Sequence, residues 1–226
     1  MSGAIAHEIN QPLTAILSNA QTALYLLAKG SPDLAEIRDA LEDIVHEDNR
    51  AGEVIQRLRR LLKKGEKSFE TIDVNELVAS TISLLRSELI TRRVNVTTEL
   101  AEGLPSTFGD PVQLQQILLN LLMNAMDAMA ATAISRRLVT ILTRGTQIGT
   151  IEVLVKDHGT GIRAEEQARL FEPFYTTKDQ GLGLGLTICT TILQAHGGRL
   201  SLTNDDAGGA VAVLTLPAQE MLIAAQ

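Results

Sequence analysis

Hydrophobic positions repeat differently in residues 1–67 and in 68–226. In the first segment Ile9, Leu13, Ile16, Ala20, Ala23 and Leu27 recur at alternating spacings of four and three, an a/d heptad seam. Lys29-Gly-Ser-Pro32 reads as a turn, because glycine stops one helix and proline suits the first turn of the next. The seam resumes at Ile37, Leu41, Ile44, Ala51, Ile55, Leu58 and Leu62, with Asp48 interrupting it once. The basic end of this second helix (Arg57, Arg59, Arg60, Lys63, Lys64) complements the helix dipole and reads as a solvated face. A lone helical hairpin has a seam but little core. Two hairpins pairing into a four-helix bundle bury both seams, so a homodimer is expected.

Residues 65–68 read as a hinge, after which the pattern becomes mixed. Strands are predicted at 69–72 and 94–100, with an amphipathic helix over 74–92 capped by Asp73. Asp110 and Pro111 open a long apolar helix. Residues 138–143 and 150–156 alternate as a strand pair, as do 199–203 and 210–216 around Gly208-Gly209. Short helices are predicted at 163–171 and 184–197. Strands and helices without strict βαβ alternation imply an α+β sandwich.

Composition narrows the function. The 226 residues carry a net charge of −7, which argues against sequence-independent nucleic-acid binding. The single cysteine, Cys189, excludes an internal disulfide framework and fits a reducing, cytoplasmic setting. It sits in an apolar helical stretch and reads as a small core residue. No signal peptide or membrane span is visible. The best apolar stretch, 117–134, is broken by Asn120, Asn124 and Asp127.

Three segments carry chemistry. Asp157-His-Gly-Thr-Gly161 ends a strand, where a carboxylate can hold a polar ring edge while Gly159 and Gly161 let backbone approach a flat base. Gly181-Leu-Gly-Leu-Gly185, with Gly181, Gly183 and Gly185, opens a helix, where exposed N–H groups and the dipole favour a polyphosphate. The order of these segments and the absence of GxxxxGK[ST] reject a P-loop. Asn120 and Asn124 stand at i and i+4 on one helical face. Such a pair is either a satisfied core amide pair or a holder of Mg²⁺ and phosphate oxygens, and beside the glycine segments the second reading is favoured. The loop Phe171-Glu-Pro-Phe-Tyr-Thr-Thr-Lys178 between them is either a surface loop whose Phe171 and Phe174 simply pack or a movable lid with an aromatic plug, and the nucleotide segments on both flanks favour the lid, with Lys178 able to reach a phosphate.

At the other end, His7 falls on heptad position f, away from the seam. Glu8 can accept a proton from the imidazole or orient it, and Gln11 shares the face of His7 and can position a water. Pro12 inside a helix costs about 3 kcal/mol or kinks it, which marks a tolerated distortion. His46, His158 and His196 read as structural or surface residues.

Assembled, the chain resembles the catalytic core of a sensor histidine kinase of a two-component system over residues 1–218. The motifs appear in order as an H box (His7-Glu-Ile-Asn-Gln-Pro12), an N box (Asn120 to Asn124), G1 (Asp157 to Gly161), an F box (Phe171 to Phe174) and G2 (Gly181 to Gly185). The HEINQP form, the Thr176-Thr177-Lys178 loop and the Ala195-His-Gly-Gly-Arg199 ending are most similar to the nitrogen-fixation and dicarboxylate-sensing branch. The resemblance implies a dimerisation and phosphotransfer hairpin over 1–67 and a Bergerat-type (GHKL) ATP-binding domain over 68–226. It implies His7 as phosphoacceptor with Glu8 as acid/base partner. Asn124 would bind Mg²⁺ with Asn120 near the phosphates, Asp157 would accept from the adenine amino group, and the glycines would line the base and phosphate loops. Its partner would be a response-regulator receiver domain. Gln11 stands where many relatives carry Thr or Asn in support of dephosphorylation, and glutamine can still orient water. Two rivals are a self-standing ATPase of the same superfamily and a non-catalytic dimeric scaffold. Six residues before His7 also imply a fragment of a longer protein with a sensory region.

Overall fold

The computed structural model describes residues 2–28, 33–45, 47–48, 69–178 and 183–219, with side chains from residue 13 onward. The chain divides into two compact units, Met1–Gly65 and Glu66–Gln226.

In the first unit α1 (Ser2–Leu27) runs unbroken through Pro12, and α2 follows with helical residues 34–45 and 47–48. Ala23, Leu26, Ile37 and Ala40 form its buried cluster. Of the expected seam, Ala23 and Ile37 are buried and Ile16, Ala20 and Ile44 half-buried, while Leu13, Leu27 and Leu41 are exposed, as are Leu17, Leu24, Leu34 and Val45. The apolar surface is wider than one stripe. Small Ala23 and Ala40 let the helices approach within the hairpin, and the leucines flank that contact. The turn at Lys29 to Pro32, the seam beyond Asp48, its basic end, His46 and the hinge at 65–68 lie outside the described residues.

The second unit is an α+β sandwich. Its five-stranded sheet has the order β2-β4-β5-β7-β6, with only β2 and β4 parallel. The strands are β2 (Asn95–Leu100), β4 (Leu138–Gly145), β5 (Thr150–Asp157), β6 (Arg199–Asn204) and β7 (Ala210–Pro217). Both strand pairs expected from alternation are present. β5 alternates strictly between buried and half-buried positions, burying Ile151, Val153 and Val155 against the helices. A small second sheet pairs β1 (Glu70–Ile72) with β3 (Thr107–Gly109).

The helical layer holds α3 (Val74–Leu84), α4 (Arg86–Arg92), α5 (Pro111–Ala128) and α7 (Gly185–Ala195), with a single turn α6 (Ala164–Gln167). Asp73 and Asp110 cap α3 and α5, each accepting from two backbone N–H groups. α5 is the central helix, burying Leu114, Ile117, Leu118, Leu121, Leu122, Ala125 and Met126. The expected single helix over 74–92 is broken at Leu85 (φ −88°, ψ 3°). Leu85 still donates to Thr81 O and Ile82 O, and Leu85 and Leu89 both pack against the core, so apolar spacing continues across the break. The helix expected over 163–171 is only the α6 turn.

His196, at the end of α7, is buried. It stacks on Phe69 with ring centroids 4.9 Å apart, and its Nε2 accepts from Asp110 N–H at 3.0 Å. The proton therefore sits on Nδ1, which donates to Ile192 O at 2.8 Å. This side chain joins the end of α7 to the start of α5, a structural role as expected. His158 Nδ1 lies 3.1 Å from Leu138 O.

Candidate active site

Asp157 ends β5 and is only 6% exposed. Its Oδ1 accepts from Gly159 N–H at 2.8 Å and from Ala210 N–H at 3.3 Å. Its Oδ2 has no hydrogen-bond partner among the described residues. Burial pushes this carboxyl above the ordinary range, against the pull of the two backbone donors. A fixed carboxylate with one oxygen tied and one unused is an acceptor waiting for a donor.

Backbone walls the space beside it. Thr160 N–H donates to Ala128 O at 3.3 Å at the end of α5. A Cβ on Gly159 would stand 2.6 Å from Ala128 O, closer than side-chain atoms come to a carbonyl. Gly161 leads into Ile162, which Asn204 clasps from both sides: Ile162 N–H donates to Asn204 Oδ1 at 2.7 Å, and Asn204 Nδ2 donates to Ile162 O at 2.8 Å. No local sequence signal announces Asn204, which lies 42 residues away.

The second glycine segment meets the F box. Gly183 (φ +62°) accepts from Phe174 N–H at 3.1 Å, and a Cβ there would stand 2.4 Å from Phe174 C. Phe174 itself has φ +68°, a conformation that is uncommon for a bulky residue and that marks strain at a functional turn. Phe171 and Phe174 are half-buried, and Arg169 lies 4.3 Å over the Tyr175 ring. Gly185 opens α7 directly against the Asn120 amide. Gly181 lies outside the described residues.

α5 supplies the third wall. Asn120 and Asn124 are both half-buried. Asn120 Nδ2 donates to Cys189 Sγ at 3.1 Å, which ties α5 to α7. Burial pushes the Cys189 thiol up to about 11, so it is an inert core residue. Asn124 Oδ1 accepts from Lys178 Nζ at 3.0 Å, and Asp127 Oδ2 accepts from the same ammonium at 2.6 Å. Asp127 Oδ1 accepts from Arg92 NH1 at 2.5 Å. Burial opposes ionisation of Asp127, but the bonds from Lys178 and Arg92 outweigh it and hold the carboxyl below the ordinary range. Arg92, Asp127 and Asn204 were not among the expected site residues.

These features fit an adenine nucleotide: an unpartnered carboxylate oxygen on an otherwise buried Asp157, glycine-walled space and a helix N-terminus. For Mg²⁺, Asn124 Oδ1 is a hard oxygen donor of the right kind, and in this structure it carries the Lys178 ammonium, while both oxygens of Asp127 are taken by Lys178 and Arg92. Among the described residues no group of three or more His, Cys, Asp or Glu side chains is placed to hold a metal. His7, Glu8 and Gln11 lie on α1, and their side chains fall outside the described residues. No described helix is long and apolar enough to cross a membrane.

Residues 1–67 match the family model for the His Kinase A (phospho-acceptor) domain. Residues 109–220 match that for the Histidine kinase-, DNA gyrase B-, and HSP90-like ATPase. The sensor histidine kinase TmoS of Ectopseudomonas mendocina is 36% identical over 94% of this chain and 22% of its own length. The sensor protein FixL of Bradyrhizobium diazoefficiens is 36% identical over 97% of this chain and 43% of its own. The chain thus spans less than half the length of these relatives. Among solved structures, the catalytic domain of the histidine kinase ThkA is 27% identical, with a TM-score of 0.59, over 67% of this chain and 96% of that one. ThkA in complex with the response regulator protein TrrA aligns over 98% of this chain and 62% of that one, with 22% identity and a TM-score of 0.69, a likeness of fold. With the motif series in order and both family models matched in the same order, the chain belongs to the sensor histidine kinases of two-component systems.

Proposed function

We propose that this chain transfers the γ-phosphoryl group of Mg-ATP to a ring nitrogen of His7 and then to an aspartate of a response-regulator receiver domain. The observation that carries the nucleotide reading is Asp157, with Oδ1 held by Gly159 and Ala210 and Oδ2 free to accept the adenine amino group. Gly159 and Gly161 line the base, and Gly181, Gly183 and Gly185 line the phosphates. Asn124 holds Mg²⁺, which supplies charge neutralisation on the phosphates when bound. Asn120 braces the start of α7 beside them, and Lys178 adds a cation. Phosphoryl transfer makes little covalent demand on a protein, so these residues act by positioning and by charge.

On α1, Glu8 orients His7 and takes its proton, leaving the other ring nitrogen as nucleophile. Gln11, one turn on, positions the water of any dephosphorylation. The segment over 1–67 serves as the dimerisation and phosphotransfer domain and 68–226 as the ATP-binding domain. The exposed leucine stripe on α1 and α2 supports a homodimer, since pairing two hairpins would bury it. A reduced Cys189 and the need for ATP support a cytoplasmic position for this segment.

Incubation with γ-labelled ATP tests the proposal. Self-labelling of the chain, followed by transfer to a receiver domain, is expected. Phosphate release without self-labelling would make it a plain ATPase, and neither event would make it a scaffold.

A further inference from the structure

We propose that Asp127 is a positioning residue for the phosphate chain: its carboxylate holds the Lys178 ammonium beside Asn124, where the nucleotide's phosphates and metal are bound. This rests on the Mg-ATP reading above. Asn124 and Asp127 stand at i and i+3 on α5 and so share a face. Lys178 reaches that face from 51 residues away in sequence, bonding Asp127 Oδ2 at 2.6 Å and Asn124 Oδ1 at 3.0 Å. The ammonium occupies Asn124 Oδ1 in this structure, so it turns from that oxygen toward a phosphate when a metal takes its place.

The details suit an anion better than a surface ion pair. An ammonium has three donors, and Asn124 and Asp127 use two. The third has no partner among the described residues and is available to a phosphate oxygen. Lys178 is 42% exposed on a flexible four-carbon stem, so without the carboxylate it would sample many rotamers. Arg92 holds the other Asp127 oxygen at 2.5 Å and is itself bonded to Glu88 at 2.5 Å. Asp127 thus keeps a counter-charge when the ammonium turns toward phosphate. The Lys178 loop is in turn anchored by Phe174 N–H on Gly183 O and by Arg169 over Tyr175.

Binding of Mg-ATP and of AMP to the full chain, measured by calorimetry and competition, tests this for wild type, Asp127→Asn, Lys178→Met and the double variant. Each single change should weaken Mg-ATP binding by roughly tenfold, the size of one charge-assisted hydrogen bond in a half-exposed site, and leave AMP binding little changed. The double variant should lose no more than the weaker single one, because both remove the same element. Lys178→Met leaves the core untouched and reports even if Asp127→Asn lowers stability. An unaltered ATP-to-AMP ratio, or additive losses, would overturn the assignment while leaving the nucleotide site standing. A wild-type chain that binds neither nucleotide would overturn both.

Discussion

Replacing Asp157 separates its two oxygens. Asp157→Ala removes both, leaving the Gly159 and Ala210 N–H groups without their acceptor in a buried setting. A hydrogen bond to a charged acceptor contributes about 1.5–3 kcal/mol, and a donor left unpaired costs about 1–3 kcal/mol. The Ala210 bond is long at 3.3 Å, and the carboxylate itself is destabilised by burial, so both offset the sum. A net loss of about 1–3 kcal/mol follows, or roughly 3–10 °C in melting temperature for a unit of this size. Asp157→Asn behaves differently. Its amide oxygen can keep both backbone bonds, so stability should stay near wild type. Its NH₂ then replaces Oδ2 and sets a donor against the adenine amino group. The cost there is about 1–3 kcal/mol, or roughly 5- to 150-fold in ATP affinity. Thermal unfolding and calorimetric titration with Mg-ATP read the two effects apart. If Asp157→Asn bound ATP like wild type, Asp157 would not be the base acceptor. If Asp157→Ala unfolded at the wild-type temperature, the two backbone bonds would not carry the role given to them.

Other outcomes follow from the same geometry. Gly183→Ala should retain the fold by circular dichroism yet lose most ATP binding, because its Cβ collides with Phe174 backbone and φ +62° resists a side chain. His196→Ala removes a buried ring, the acceptor for Asp110 N–H and the stack on Phe69, and should cost about 3 kcal/mol in denaturant unfolding. Asp127 titrates below an ordinary aspartate in the folded chain, so its pairing adds stability above the unfolded aspartate pKa of about 4 and loses it as pH falls through the depressed value. Asp127→Asn should therefore be less stable than wild type at neutral pH and converge with it in acid; a pH-independent gap in melting temperature would contradict this.

Much of the site was legible because its parts are local. Asp157 with its glycines, Asn120 and Asn124 one turn apart, and the caps Asp73 and Asp110 each declare themselves within a few residues. What escaped depends on long-range contact. Arg92 lies 35 residues from Asp127, and Asn204 lies 42 from Ile162, so neither pairing leaves a trace in spacing. The break at Leu85 was invisible because apolar spacing continues through it. β3 is only three residues long and pairs with an equally short β1. The heptad reading found the helices of the hairpin and two of its buried residues, Ala23 and Ile37, but not Leu26 and Ala40, which lie beside the seam.

Self-phosphorylation at His7 is the claim on which the rest depends. The direct measurement is the chemical stability of label carried from γ-labelled ATP onto the wild-type chain and onto His7→Ala. The wild-type chain should carry an acid-labile, base-stable phosphoryl group, and His7→Ala should bind ATP normally and carry none. An acid-labile, base-stable label persisting on His7→Ala would contradict the account.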